Sequence, residues 1–231
     1  MKKKVFIGIF AHPDDESFGP SGTLALQIKE GADVYLILAT SGSSGNNPDQ
    51  HDSLGTIRLK EWEAAGKLLG VKQQFHLDYE DGKLSNDQFA TIAGEVETIV
   101  SSICEKEPES EIILISMDQN GISGHIDHIV MSFVSCFIYV KLKEHYPQIK
   151  QLWLACIPEA MLPTPDTSFV YRSKGRSPSE IDLSVDIASV FELKKKVMRS
   201  HVSQREDAEM IIQRMENLPT KTENFYFFKP N

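Results

Sequence analysis

The chain has 231 residues, 41 % of them hydrophobic and 25 % charged; this ordinary globular composition excludes intrinsic disorder and allows one sizeable core without disulfide or metal staples. Lys and Arg number 24 against 33 Asp and Glu, a net charge of −9. Such a surface repels phosphate backbones and anionic lipid, so nucleic acid is excluded as a partner.

Lys2–Lys4 followed by the apolar run Val5–Ala11 has the outline of a signal peptide. The run is short, however, and His12-Pro13-Asp14-Asp15-Glu16 follows at once with no small-residue cleavage site, so a buried first strand is the better reading. Pro20 to Glu30 carries Leu24, Leu26 and Ile28 among helix formers and stops at Gly31. Asp33–Thr40 is a second strand. The order strand–helix–strand implies a parallel pair with a right-handed crossover. Residues 41–55 are a long Gly- and Ser-rich loop, of the kind that shapes a binding pocket and moves. Thr56 to Leu69 is amphipathic and ends at Gly70. A short strand is expected at Phe75–Leu77, and a helix from Asp87 to Glu105 with Asn86 as its cap.

Glu111–Met117 is a third clear strand. The loop Asp118–Gly124 leads to His125 and a helix from Asp127 to Glu144, whose apolar stretch Ile129–Val140 is too short to span a bilayer. Gln151–Ile157 is a fourth strand. Residues 158–180 carry four prolines and read as irregular, with a strand near Phe169–Tyr171. An edge strand at Ile181–Ile187, one long helical segment from Ser189 to Glu216 and a final Phe225–Phe228 run complete the chain. No repeat or linker interrupts it, so residues 1–231 are expected to form one domain. The architecture is a doubly wound, mostly parallel Rossmann-like α/β sheet with helices on both faces. Such sheets bind ligands beyond the carboxyl ends of their strands.

Two clusters fall at that edge. His12-Pro13-Asp14-Asp15-Glu16 follows the first strand, and His125-Ile126-Asp127-His128 follows the third clear one. Singly, the first could be a turn with an aspartate cap, and the second a helix start favoured by the dipole. Together they hold what a catalytic zinc needs, namely three His or carboxylate ligands with one position open. They also leave a spare carboxylate to take a proton from water and a spare imidazole to stabilise an oxyanion.

Ala11-His12-Pro13-Asp14-Asp15-Glu16 and Gly124-His125-Ile126-Asp127-His128 resemble the LmbE-like (PIG-L) family of zinc N-acetylglucosaminyl deacetylases. Arg58-Leu-Lys-Glu61 is similar to that family's Arg-x-x-Glu helix, Asp81-Gly82 to its Asp-Gly turn, and Lys196 with His201-Val-Ser203-Gln204 to its C-terminal motif. The resemblance implies a fold, a reaction and a set of roles. His12, Asp15 and His128 would hold Zn²⁺, with Fe²⁺ or Co²⁺ also chemically suitable. Asp14 would be the general base, and a protonated His125, held by Asp127, would face the oxyanion. Arg58 would lie in the substrate pocket. The substrate would be a small N-acetylated sugar or other amide. Thr40-Ser41-Gly42-Ser43-Ser44-Gly45 departs from the family's Thr-x-Gly-Glu-like stretch, which puts sugar-hydroxyl recognition in question.

Other features read more plainly. His51 and His76 are solvated or locally bonded, and His201 ties the C-terminal helix to the core. Lys194-Lys195-Lys196 is a solvated helix face. Trp62 and Trp153 are core residues. Cys104, Cys136 and Cys156 are odd in number and lack a CxxC pair, so they read as buried, reduced thiols of a cytoplasmic protein. A homo-oligomer is compatible with all of this. Two other function classes compete: an amidohydrolase of another small N-acylated amine, and a non-catalytic metal-bearing sugar-binding protein. The intact Asp14 counts against the last. A nicotinamide-linked oxidoreductase is excluded because no GxGxxG follows the first strand.

Overall fold

The computed structural model describes residues 2–162 and 174–230. Seven strands form one sheet: β1 (Lys4–Phe10), β2 (Asp33–Thr40), β3 (Gln73–Tyr79), β4 (Glu111–Met117), β5 (Ile149–Cys156), β6 (Leu183–Asp186) and β7 (Thr222–Phe227). Their spatial order is β3-β2-β1-β4-β5-β7-β6. Pairings are parallel from β3 through to β5 and antiparallel at β5–β7 and β7–β6.

The helices are α1 (Asp15–Phe18), α2 (Ser21–Lys29), α3 (Leu54–Leu69), α4 (Asn86–Lys106), α5 (Gly121–Gly124), α6 (Ile126–Leu142), α7 (Phe191–Arg199) and α8 (Arg205–Glu216). β1 is buried on both faces, which explains its unbroken apolar run. Val5, Ile7 and Ile9 pack with Ile92, Val96 and Val134 of α4 and α6. Phe6 and Phe10 turn the other way, towards Leu24, Trp62 and Val197 of α2, α3 and α7. Chain direction around the sheet reverses between β1 and β4, and the crevice at their carboxyl ends is where this topology places a ligand.

The expected elements are present with shifted bounds. β3 is longer than its apolar centre, because its polar ends still make ladder bonds at the sheet edge. α4 begins at Asn86 itself, with Ser85 in the cap position. The strand expected near Phe169–Tyr171 lies outside the described residues. Trp62, Trp153 and all three cysteines are buried, and burial pushes each thiol up to about 12. No helix among the described residues is long and apolar enough to cross a membrane.

Two expectations about the C-terminal segment are corrected. The helical stretch breaks after Arg199, so His201 lies in the connection between α7 and α8 rather than inside a helix. The lysine run is a solvated face at Lys196 and in part at Lys195, but not at Lys194. Phe191, Lys194, Val197 and Met198 form the buried side of α7. Helical spacing places Lys194, not Lys196, among these apolar neighbours. Lys194 is 0 % exposed. Its Nζ donates to the carbonyls of Ser17 (3.2 Å), Phe18 (3.1 Å) and Gly19 (2.6 Å) at the end of α1, and pairs with Glu223 at 2.8 Å. Glu223 in turn accepts from the amides of Gly22 and Thr23, which open α2. Lys194→Met strands a buried carboxylate and three carbonyls, so destabilisation of about 3–5 kcal/mol is expected in urea unfolding. A loss below 1 kcal/mol would contradict it.

Candidate active site and metal centre

β1 delivers the chain into a tight turn in which Asp14 adopts φ 113°. This left-handed conformation costs a non-glycine residue on the order of 1–3 kcal/mol. The Asp14 carbonyl accepts the amides of Ser17 and Phe18, each at 2.8 Å. The neighbouring Asp15 is anchored by its own loop. Its Oδ2 accepts from the amides of Ala11 (3.1 Å) and His12 (2.9 Å), and its Oδ1 faces His128 Nε2 at 3.1 Å. Burial alone would raise the Asp15 pKa; the nearby His128 and His12 hold it well below the usual carboxylate range.

The two outer histidines are oriented by their far nitrogens. His12 Nε2 lies 3.0 Å from Asp81 Oδ1 and 3.3 Å from Asp127 Oδ2. His128 Nδ1 lies 3.1 Å from the Gly121 carbonyl. Acceptors at those positions favour a proton there, so that in the neutral rings the lone pairs fall on His12 Nδ1 and His128 Nε2. These two nitrogens face each other at 2.9 Å. Two lone pairs that close repel unless a cation or a proton sits between them.

The donor set fits a metal. His12 Nδ1 lies 2.9 Å from His128 Nε2 and 3.9 Å from Asp15 Oδ2, and His128 Nε2 lies 3.1 Å from Asp15 Oδ1. Ligands of a tetrahedral zinc at about 2.0–2.1 Å are roughly 3.3 Å from one another. Ring nitrogens of His12, His125 and His128 also come within 4.8 Å of each other, as do donors of His12, Asp81 and Asp127. The latter group sits on the outer side of His12, where the carboxylates already serve as hydrogen-bond acceptors. Without a metal, burial pulls the His12 pKa down, but hydrogen bonds to Asp127 and Asp81 and the charge of Asp15 raise it to about 10.

Asp14 and Arg58 form the adjoining wall. Arg58 Nη2 donates to Asp14 Oδ2 at 2.8 Å and to the Pro13 carbonyl at 2.7 Å; Nη1 donates to the Gly42 carbonyl at 2.8 Å. A Cβ at Gly42, which has φ 68°, would run into this guanidinium. Arg58 is thus buried against the site. Burial pushes the Asp14 pKa up to about 6, with Arg58 opposing the rise and Asp15 adding to it.

His125 stands edge-on to His12, ring centres 4.7 Å apart, and 4.9 Å from His128. Its Nδ1 accepts the Asp127 amide at 3.2 Å, so a neutral ring carries its proton on Nε2. Burial, then the charges of His12 and His128, lower its pKa. The Asp127 carboxylate is turned elsewhere, accepting from the amides of Gly82 (2.8 Å) and Leu84 (3.2 Å) and facing His12. The expectation that Asp127 holds a proton on His125 is therefore corrected. Two residues of spacing at a helix start do not bring a carboxylate onto the preceding ring.

All seven sequence-predicted residues meet in this crevice. The sequence marks Asp81 only as part of an Asp-Gly turn. Asp81 orients His12 and accepts the Ser44 amide at 2.6 Å, which anchors the loop between β2 and α3, two residues shorter than expected because α3 begins at Leu54. That loop is also tied to the C-terminal segment by Gln204 Nε2 to the Asn46 carbonyl at 2.9 Å. Ser41 and Ser43 line a polar cleft of about 370 Å³ with Asn47, His51, Asp52 and Asp78. His51 lies 3.8 Å from Asp49, and neither it nor His76 belongs to the metal-type clusters. His201, 0 % exposed, faces the Ser17 hydroxyl at 2.9 Å behind α1.

Residues 7–137 match the family described as PIG-L, GlcNAc-PI de-N-acetylase. The chain belongs to the PIG-L family. A 1D-myo-inositol 2-acetamido-2-deoxy-alpha-D-glucopyranoside deacetylase of Mycobacteroides abscessus is 27 % identical over 228 residues, covering 85 % of this chain and 80 % of that protein. Other curated relatives bearing that name are matched over only about half their own length. Among solved structures, the N,N'-diacetylchitobiose deacetylase of Pyrococcus horikoshii superposes with TM-score 0.68 at 22 % identity, over 98 % of this chain and 84 % of that one. A 4-carboxy-2-hydroxymuconate hydratase of Pseudomonas putida does so with TM-score 0.66 at 15 % identity, over 99 % and 97 %. The PIG-L fold thus carries more than one chemistry, and the side chains must decide.

Proposed function

We propose that this PIG-L member is a zinc-dependent N-deacetylase of an N-acetylglucosamine-type sugar or glycoconjugate, with His12, Asp15 and His128 as the metal ligands. The observation that carries the reading is the pair of imidazole nitrogens, His12 Nδ1 and His128 Nε2, facing each other at 2.9 Å beside a fixed carboxylate. Zinc, when bound, supplies Lewis acidity that acidifies a water and polarises an acyl carbonyl. Asp14 would accept a proton from the attacking water and pass it to the departing amine nitrogen, and Arg58, held in the pocket wall, aims its carboxylate. A pKa near 6 keeps Asp14 ionised at neutral pH yet basic enough to work. His125 donates its Nε2 proton as a neutral hydrogen-bond donor to the developing oxyanion. Asp127 and Asp81 hold His12 in its ligating orientation.

The chain functions as a single domain, since one sheet carries both clusters. Its buried, unpaired thiols suit the cytoplasm. Zinc-loaded protein should release a free amine from N-acetylglucosaminides, with much slower release from small acetamides. Equal rates on both would favour the broader amidohydrolase reading, and no amine from any of them would overturn the proposal.

A further inference from the structure

The turn that carries His125 and His128 is strained. Gly121 has φ 70° and Ile122, a β-branched residue, has φ 63°. Any Cβ at Gly121 would press on Ile129. Something must hold this turn, because the Gly121 carbonyl is the acceptor for His128 Nδ1. The holder is Asp118, directly after β4. Its carbonyl accepts the Gly121 amide at 2.8 Å, and its Oδ1 accepts the Asn120 amide at 3.1 Å. The Asn120 side chain then accepts the Ile122 amide at 2.9 Å.

Asp118 is 1 % exposed, and a buried carboxylate needs a partner. Arg176 provides a two-pronged one, Nε to Oδ2 at 2.8 Å and Nη2 to Oδ1 at 2.7 Å. Its guanidinium lies 4.2 Å from the centre of the Tyr226 ring, and the Tyr226 hydroxyl is 3.3 Å from Asp118 Oδ1. The Arg176 main chain is fixed on both sides, its amide to the Ile157 carbonyl and its carbonyl to the Glu159 amide, each at 2.9 Å.

We infer that Arg176 is a positioning residue for the metal centre, acting through Asp118 and the Gly121 carbonyl to hold His128 in the tautomer that presents Nε2. This rests on the reading of His128 as a ligand. Lys would keep the charge but lose the fork, so it should act as a partial replacement.

The test is zinc affinity, measured by competition with a chromophoric chelator on the whole chain. Arg176→Met should weaken zinc binding by about tenfold, the low end of the 10–100-fold that follows loss of a group bonded directly to a ligand, because Arg176 acts one step further out. Arg176→Lys should fall between it and the wild type, and Tyr226→Phe should show a smaller loss in the same direction. In a His128→Ala background, Arg176→Met should have no further effect on residual affinity. On metal-free protein at alkaline pH, where the ring is neutral, long-range ¹H–¹⁵N correlation should show a single His128 tautomer in the wild type and a mixture in Arg176→Met. Should Arg176→Met not fold, Arg176→Lys and Tyr226→Phe carry the test. Wild-type zinc affinity in the folded variants, or an undiminished effect without His128, would overturn the inference. If His128→Ala itself binds zinc as tightly as the wild type, the metal-site reading fails instead.

Discussion

Asp14→Asn is expected to keep its metal and to lose turnover by about 10²–10⁴-fold, the usual contribution of a general base. The amide is close in size to the carboxylate and can still accept from Arg58 through its oxygen, so the 2.8 Å contact has a replacement. It cannot take a proton. Asp14 is also not among the atoms that face one another across the proposed metal position. Metal analysis and kcat on the same sample separate the two effects. Near-normal turnover would move the base elsewhere, and loss of metal would make Asp14 a ligand. The wild-type acidic limb follows with its sign. Burial raises the Asp14 pKa to about 6, so the working, ionised form dominates above that pH and activity falls as pH drops through it.

His12→Ala, Asp15→Ala and His128→Ala should each lose most bound zinc and with it most activity, whereas wild-type protein stripped by a chelator should recover when zinc is returned. The metal-free wild type competes with protons for the same site. His12 has a pKa of about 10 there, and its Nδ1 proton must leave before that nitrogen can ligate. Loading near neutral pH should therefore release protons, and affinity should rise about tenfold per pH unit for each proton released. Calorimetry in buffers of different ionisation heat would count them. Full metal content in all three variants would overturn the ligand set.

Much of this site was legible because its parts follow strands. An apolar run ending in His-Pro-Asp-Asp, and a second ending near His-x-Asp-His, fix the sheet edge on which both clusters sit. The direction of each side chain was not legible. The Asp127 carboxylate serves His12 and two amides from the turn after β3, partners about 45 residues away that helix spacing cannot reveal. Lys194 was hidden by its two charged neighbours, although its place on the apolar period of α7 marked it. Arg176 follows a proline-rich stretch with no periodicity, so nothing local linked it to Asp118. The remote contacts of Asp127, Lys194 and Arg176 all depend on how the sheet closes.

The distance along the chain between His12 and His128 is 116 residues. During synthesis at about 5–20 residues per second, the first cluster waits several seconds before the second exists. No ligand pair from both clusters can form until β4 has docked on β1. An ion held as proposed, by both clusters, would therefore bind only after β4 has docked on β1 and would not nucleate folding. With the proposed zinc site, cells short of zinc should then accumulate folded apoprotein rather than unfolded chain, ready to be charged when supply returns.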